Sequence, residues 1–350
     1  MHRIRFLRLM SVLSLPGAVF AAAPGRTRVV ATTTDAASIV RAVGGDLVTV
    51  ESLVEGIQDP HTLAPTPSLM LKARRAEVLF KIGLDLELWL EPLLEGARNP
   101  GILPGRPGHI DLSRGIRPLD LPVRLDRADG DVHPYGNPHI WLDPLNVRRM
   151  TRTVEEALSR IRPDESETFA GNREGFVRRL DEALFGRTLV EAAGGDRLAD
   201  LLDSLAWERF LEQTVADGRG FGNLLGGWLG RMRPARGTAV VEYHGTFAYF
   251  AHRFGLPVAG QIEPKPGIPP TARHVHDLTG IMREGDVRII LSTVYYETEV
   301  PRRLAERTGA RVLVLPTSVG GTEETTDYLT LMETMTHALS GAVMPEAPHE

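Results

Sequence analysis

The chain contains no cysteine. No disulfide holds it together, no thiolate is on offer to a soft metal, and no cysteine stands at a processing site to carry a lipid. Positive charge is not concentrated either: the formal net charge is −5, with no long basic run, which argues against nucleic acid or an acidic membrane surface as partner. Beyond the N-terminus no stretch reaches 18 uninterrupted apolar residues, the minimum for a helical bilayer span. HExxH, a nucleophile elbow and a glycine-rich phosphate loop are all missing, so the common hydrolase and nucleotide-binding signatures are excluded.

What remains is an ordinary globular composition, 42% hydrophobic and 24% charged over 350 residues, enough for about two domains. The first residues differ. Arg3, Arg5 and Arg8 precede an apolar stretch and then small residues, the order of a cleavable signal peptide, with cleavage expected after Ala21 or Ala23. Removal of residues 1–23 takes the net charge from −5 to −8. Export without a cysteine anchor implies a periplasmic location.

Short β-branched runs alternate with longer helical patterns twice along the chain. Arg28–Thr34, Val48–Val54 and Glu77–Gly83 read as buried strands in the first half. Thr238–His244, Pro257–Ile262, Val287–Thr293 and Ala310–Pro316 read as strands in the second. This rhythm predicts an α/β protein of two lobes, each a mostly parallel sheet flanked by helices. Between them Phe169, Phe176, Leu180 and Leu184 form one apolar stripe, predicting a long connecting helix that ends near Thr188. The expected division is therefore a signal peptide at 1–23, an N-terminal lobe at 24–162, a connecting helix at 163–188, a helical and glycine-rich insertion at 189–237, and a C-terminal lobe at 238–350. The stretch Gly218–Gly230 reads as a surface loop or a small helical excursion.

Of the 11 histidines, three stand out, and two of them, His61 and His244, fall where an α/β sheet binds ligands. His61 follows the second strand in a loop stiffened by Pro60, Pro65 and Pro67. His139 stands in "GNPHIWLDP" before a helix that starts near Pro144, and His244 closes a strand of the second lobe. Their spacings of 78 and 105 residues rule out a zinc finger and suit a site assembled from separate loops.

The stretches "DPHTLAPTPS", "GLDLELWLEPLLEGARN", "NPHIWLDPLNV", "VEYHGTFAYFAHRFGL" and "GARVLVLPTSVGGTEETTDYLTLM", in this order, resemble the metal-specific solute-binding proteins of ABC importers, the zinc and manganese uptake family. The resemblance implies two lobes joined by a rigid helix and a divalent metal held between them by His61, His139 and His244. It implies a membrane permease with its ATPase as partner and a monomer; the insertion after Thr188 is a candidate contact for that permease or for a periplasmic metallochaperone. Trp141 and Leu142 would anchor the His139 loop by burial, with Asp143 capping the following helix. Where the family often has an aspartate as fourth ligand, this chain has Thr317. The fourth position is then open to water, Glu323, Glu324, Asp327 or His133, while Glu263 matches an acidic position of supporting role. Three imidazoles favour Zn²⁺ as the transported ion over Mn²⁺, which prefers more oxygen donors. Ligands must be deprotonated, so affinity is expected to fall as pH drops through the histidine range. The alternative from a different class is a three-histidine zinc hydrolase or hydratase, in which the metal activates water. An adhesin-like module is a third reading.

Overall fold

The computed structural model describes residues 25–122, 133–214, 218, 220–263 and 268–343. The expected signal peptide lies outside the described residues. The first lobe runs β1 (Thr27–Ala31), α1 (Thr34–Gly44), β2 (Val48–Ser52), α2 (Pro67–Arg75), β3 (Val78–Lys81), α3 (Leu90–Ala97) and β4 (His109–Asp111). Two long helices follow, α4 (Pro144–Ile161) and α5 (Ser166–Phe185). Five short ones come next: α6 (Arg187–Ala193), α7 (Gly195–Leu202), α8 (Trp207–Leu211), α9 (Phe221–Leu224) and α10 (Gly227–Met232). The second lobe runs β5 (Val240–Glu242), α11 (Ala248–Phe254), β6 (Val258–Gln261), α12 (Ala272–Glu284), β7 (Ile289–Thr293), α13 (Glu299–Thr308), β8 (Arg311–Leu315) and α14 (Tyr328–Val343).

Both sheets are four-stranded and parallel, ordered β2-β1-β3-β4 and β6-β5-β7-β8. The same topology is therefore used twice. Strand side chains alternate between faces, and the packing follows. Val29 and Ala31 point to one side of the first sheet, into the cluster that holds α1, α4 and α5, while Val30 points to the other, with α2 and α3. In the second sheet Val240, Ile289 and Leu291 face the same side as Phe250 and Leu339; Val241 and Ile290 face α12 and α13. The inner faces of the two sheets belong to one apolar cluster that also includes Phe169, Leu180, Trp228 and Tyr328.

Local chemistry sets the helix starts. Thr66 caps α2 by accepting from the Leu69 amide, with Pro67 at the first helical position. Asp143 caps α4 in the same way through Leu145, again with proline next. The Phe169–Leu184 stripe is buried along its whole length. The α-helix that carries it stops at Phe185, short of the expected Thr188, because Gly186 takes a positive φ of 87°.

Of the two readings of the glycine-rich stretch, surface loop or small helical excursion, the structure shows the helical one, in α9 and α10, and packs it into the fold. α10 buries Trp228 and Met232, and the Trp228 indole donates to Glu333 of α14 at 2.9 Å. A Cβ on Gly186 would lie 2.7 Å from Gly226 Cα, and one on Gly227 would lie 2.2 Å from the Ala183 carbonyl. The glycines are there so that two backbones can touch. Strand β4 is an element the sequence did not announce, since only three residues pair with β3. No helix among the described residues is long and apolar enough to cross a membrane.

Candidate metal site

His61 and His139 are held by one device. In "Asp59-Pro60-His61" the Asp59 Oδ1 accepts from both the His61 amide, at 2.9 Å, and His61 Nδ1, at 2.7 Å. In "Asn137-Pro138-His139" the Asn137 Oδ1 accepts from the His139 amide at 3.0 Å and from Nδ1 at 2.9 Å. The partner atom in each case only accepts, so each Nδ1 carries the proton and each Nε2 keeps its lone pair. His244 follows suit, donating from Nδ1 to the Glu263 carbonyl at 3.3 Å. Proline is the middle residue of both Asx turns, where it removes freedom the unfolded loop would otherwise have.

The loops are themselves pinned. Trp89 Nε1 donates to the Pro60 carbonyl at 2.9 Å, and Trp141 Nε1 donates across the lobes to the Thr317 carbonyl at 2.8 Å. Asn137 donates to the Gly245 carbonyl at 2.6 Å, the residue after His244, and Tyr249 donates to the Asn137 carbonyl at 2.8 Å. Trp141 and Leu142 are fully buried, as expected.

The structure brings the three histidines together. Ring centroids of His61 and His139 lie 5.0 Å apart, His61 and His244 6.0 Å, and His139 and His244 6.2 Å. His133 joins them, 5.2 Å from His61. With bonds of about 2.1 Å to nitrogen, imidazoles around one tetrahedral ion have centroids roughly 5 Å apart. Even so, among the described residues no group of three or more His, Asp or Glu side chains already stands arranged to hold an ion. The rings are gathered but have not closed on a point.

Burial suppresses protonation of His133, His139 and His244. Burial, then the charges of His61 and His244, lowers His133 to about 3. Burial, then His61, lowers His244 to about 4, and fully enclosed His139 falls well below the ordinary histidine value for the same reasons. Asp59 is pushed up by burial, but its hydrogen bonds with His61 outweigh this and hold the carboxyl below its ordinary value. Three of the four rings are thus shifted toward the neutral, metal-binding form. Nε2 of His61, His133 and His139 is buried without a hydrogen-bond partner, and such groups in a native fold call for an explanation.

The other sequence candidates separate clearly. Thr317 is buried, and its hydroxyl meets the Tyr295 hydroxyl at 3.4 Å. Glu323, Glu324 and Asp327 are exposed, and Asp327 accepts from the Thr330 amide at 2.8 Å at the start of α14. Glu263 is buried, and its backbone carbonyl supports His244. Asp59 and Asn137 were not singled out from sequence, although the shared Asx-Pro-His pattern was available to find them.

Two parallel α/β lobes sharing a core, with imidazoles meeting between them, define the class of two-lobed metal-binding substrate-binding proteins. The chain belongs to the ZnuA family, described as zinc-uptake complex component A, periplasmic, whose model matches residues 29–184 and 230–342. It is 25% identical over 290 residues to the iron-binding protein YfeA of Yersinia pestis, covering 81% of this chain and 75% of YfeA. It is 24% identical over 262 residues to the manganese ABC transporter substrate-binding lipoprotein PsaA of Streptococcus mitis, covering 73% of this chain and 69% of PsaA. The fold matches that of a zinc-bound deletion mutant of ZnuA with a TM-score of 0.66 and 23% identity, over 92% of this chain and all of that one.

Proposed function

We propose that this protein captures one divalent transition metal ion, zinc by preference, between its lobes through His61, His139 and His244, and delivers it to an ABC-type membrane importer. The observation that carries the reading is the pattern of proton placement: each of the three rings spends Nδ1 on an outward acceptor and keeps Nε2 for the centre. That is the support a histidine ligand requires. The ion is cargo. Its arrival would draw the gathered rings inward, and its positive charge would replace the unmet lone pairs with bonds.

Zinc is favoured by the donor set, since neutral imidazoles suit it better than Mn²⁺, whose affinity lies at the low end of the divalent series. YfeA and PsaA carry iron and manganese in their names, so the choice of ion rests on donor chemistry rather than kinship. The receiving partner would be a permease with its ATPase, and a periplasmic or otherwise exported setting follows from the family. Membership in an uptake family replaces the hydrolase alternative.

The test is metal analysis and competitive titration of the stripped and reloaded protein beside His61→Ala, His139→Ala and His244→Ala. One tightly held zinc, weakened by each substitution and little displaced by manganese, is the expected result. Stoichiometric binding retained in all three variants would overturn the ligand assignment.

A further inference from the structure

His133 stands six residues before His139, yet its ring lies beside His61, 5.2 Å centroid to centroid. A tight turn places it there. The His133 carbonyl accepts from the Gly136 amide at 3.1 Å, and the Asn137 amide donates to the Leu119 carbonyl at 2.8 Å. Gly136 has a φ of 94°, and a Cβ there would lie 2.7 Å from the same Leu119 carbonyl, so the turn is pressed onto the chain behind it. Tyr135 at the tip is 60% exposed, while His133 Nε2 is buried without a partner. An imidazole with no role in the cleft would turn toward water, as its neighbour does. This one points inward, into a group of rings that offers it no hydrogen bond.

The remaining candidates for a fourth donor are already committed or face away. The Thr317 hydroxyl meets Tyr295, Asp327 accepts from Thr330, and Glu323 and Glu324 are exposed.

We propose that His133 is the fourth protein ligand, binding the ion through Nε2 and completing an all-imidazole set with His61, His139 and His244. This rests on the three-histidine reading above. An all-nitrogen donor set gives the protein selectivity without a carboxylate: it suits Zn²⁺ and Co²⁺ and leaves Mn²⁺ short of the oxygen donors it prefers. The turn from His133 to Gly136 then serves as a specificity element that discriminates between ions of equal charge.

The experiment uses the full mature chain loaded with zinc or cobalt(II), in the wild type, His133→Ala, His133→Gln and the three single alanine variants of the other histidines. Zinc-edge X-ray absorption counts bound imidazoles, the cobalt(II) visible spectrum reports the donor set, and competitive titration gives affinities for zinc and manganese. The metal-free melting temperature checks that each variant folds. The expected result is four imidazoles in the wild type and three in both His133 variants. Zinc affinity should fall in those variants by at least the roughly 10–100-fold that follows loss of a supporting group, with a smaller fall for manganese. Three imidazoles in the wild type, with an unchanged cobalt spectrum and zinc affinity in His133→Ala, would overturn the proposal while leaving the three-histidine site standing. Unchanged binding in the His61, His139 and His244 variants would instead sink the reading beneath it.

Discussion

Arg253 of α11 grips Asp143 with both arms of its guanidinium, Nε to Oδ1 at 2.8 Å and Nη2 to Oδ2 at 2.6 Å. Asp143 closes the His139 loop and caps α4, and Arg253 lies on the helix that follows His244. The pair therefore fixes the two loops relative to each other. Both side chains are almost wholly enclosed, at 6% and 5% exposure. Breaking such a pair from one side leaves a buried charge, so Arg253→Met should cost about 3–5 kcal/mol in urea unfolding. Asp143→Asn with Arg253→Met together should cost less than the sum of the singles. Strict additivity would show that the two do not act as a pair.

The Asx-Pro-His turns predict a second-order effect on binding. Asp59→Ala and Asn137→Ala remove no ligand, yet each frees the tautomer and rotation of its histidine. Zinc affinity should fall by roughly 10–100-fold in each while stoichiometry stays at one. Isothermal titration distinguishes this from loss of the site. An unchanged affinity in both would mean that the loops hold the rings without help.

Proton competition should be weaker than histidine content suggests. Ordinary histidines near 6.5 would cost one proton each on binding at mildly acid pH. Here His133 lies at about 3 and His244 at about 4, so both are already neutral at pH 5, and His139 is depressed in the same direction. Between pH 6.5 and 5 the logarithm of zinc affinity should change by no more than about one per pH unit. A slope near three would contradict the burial of these rings. The same depression has a stability signature in the metal-free protein. Above pH 6.5 its contribution is fully present, and it is lost as pH falls toward the depressed values, because the unfolded chain takes up the protons.

Glu242 works in the opposite sense. Buried on β5, it is pushed up to about 8 by desolvation, against the opposing hydrogen bonds from Gln261 and the Phe247 amide. A carboxyl raised in the folded state contributes stability that is present below its unfolded value of 4.5 and is lost as pH rises through about 8. Relative to wild type, Glu242→Gln should gain unfolding free energy from pH 5 to about pH 8 and level off above that. A pH-independent difference would place the carboxylate in water.

Trp228→Ala tests whether the segment 187–237 is part of the fold. Its indole is 1% exposed and joins α10 to α14 through Glu333. Removal should cost about 3–5 kcal/mol, measured by denaturant midpoint. A cost below about 1 kcal/mol, the range of exposed positions, would return the stretch to the status of a surface excursion.

Much of this was legible. Strand rhythm gave both sheets, and Thr66-Pro67 and Asp143-Pro144 marked two helix starts, because caps and proline act locally. His61 and His244 were legible as loop positions at strand ends, where parallel topology gathers ligands, and His139 as a loop position before a helix start. Strand β4 was hidden because three residues carry no periodicity. Gly226 and Gly227 left loop and helix undecided for a physical reason: glycine serves equally a loop that must bend and two backbones that must touch, and sequence does not tell these apart. His133 could be named as one candidate among several, but what brings it beside His61, Gly136 folding the turn back onto Leu119, was not legible.

The apolar cluster that runs through both lobes has a consequence for how cargo enters and leaves. Phe169, Leu180, Trp228, Phe250 and Tyr328 are shared property, and parting the lobes widely would wet them all at once. The molecule is thus a vice welded at its jaws. Exchange of the ion falls to the few residues of the histidine loops, and heating should give one calorimetric transition, with neither half surviving the other.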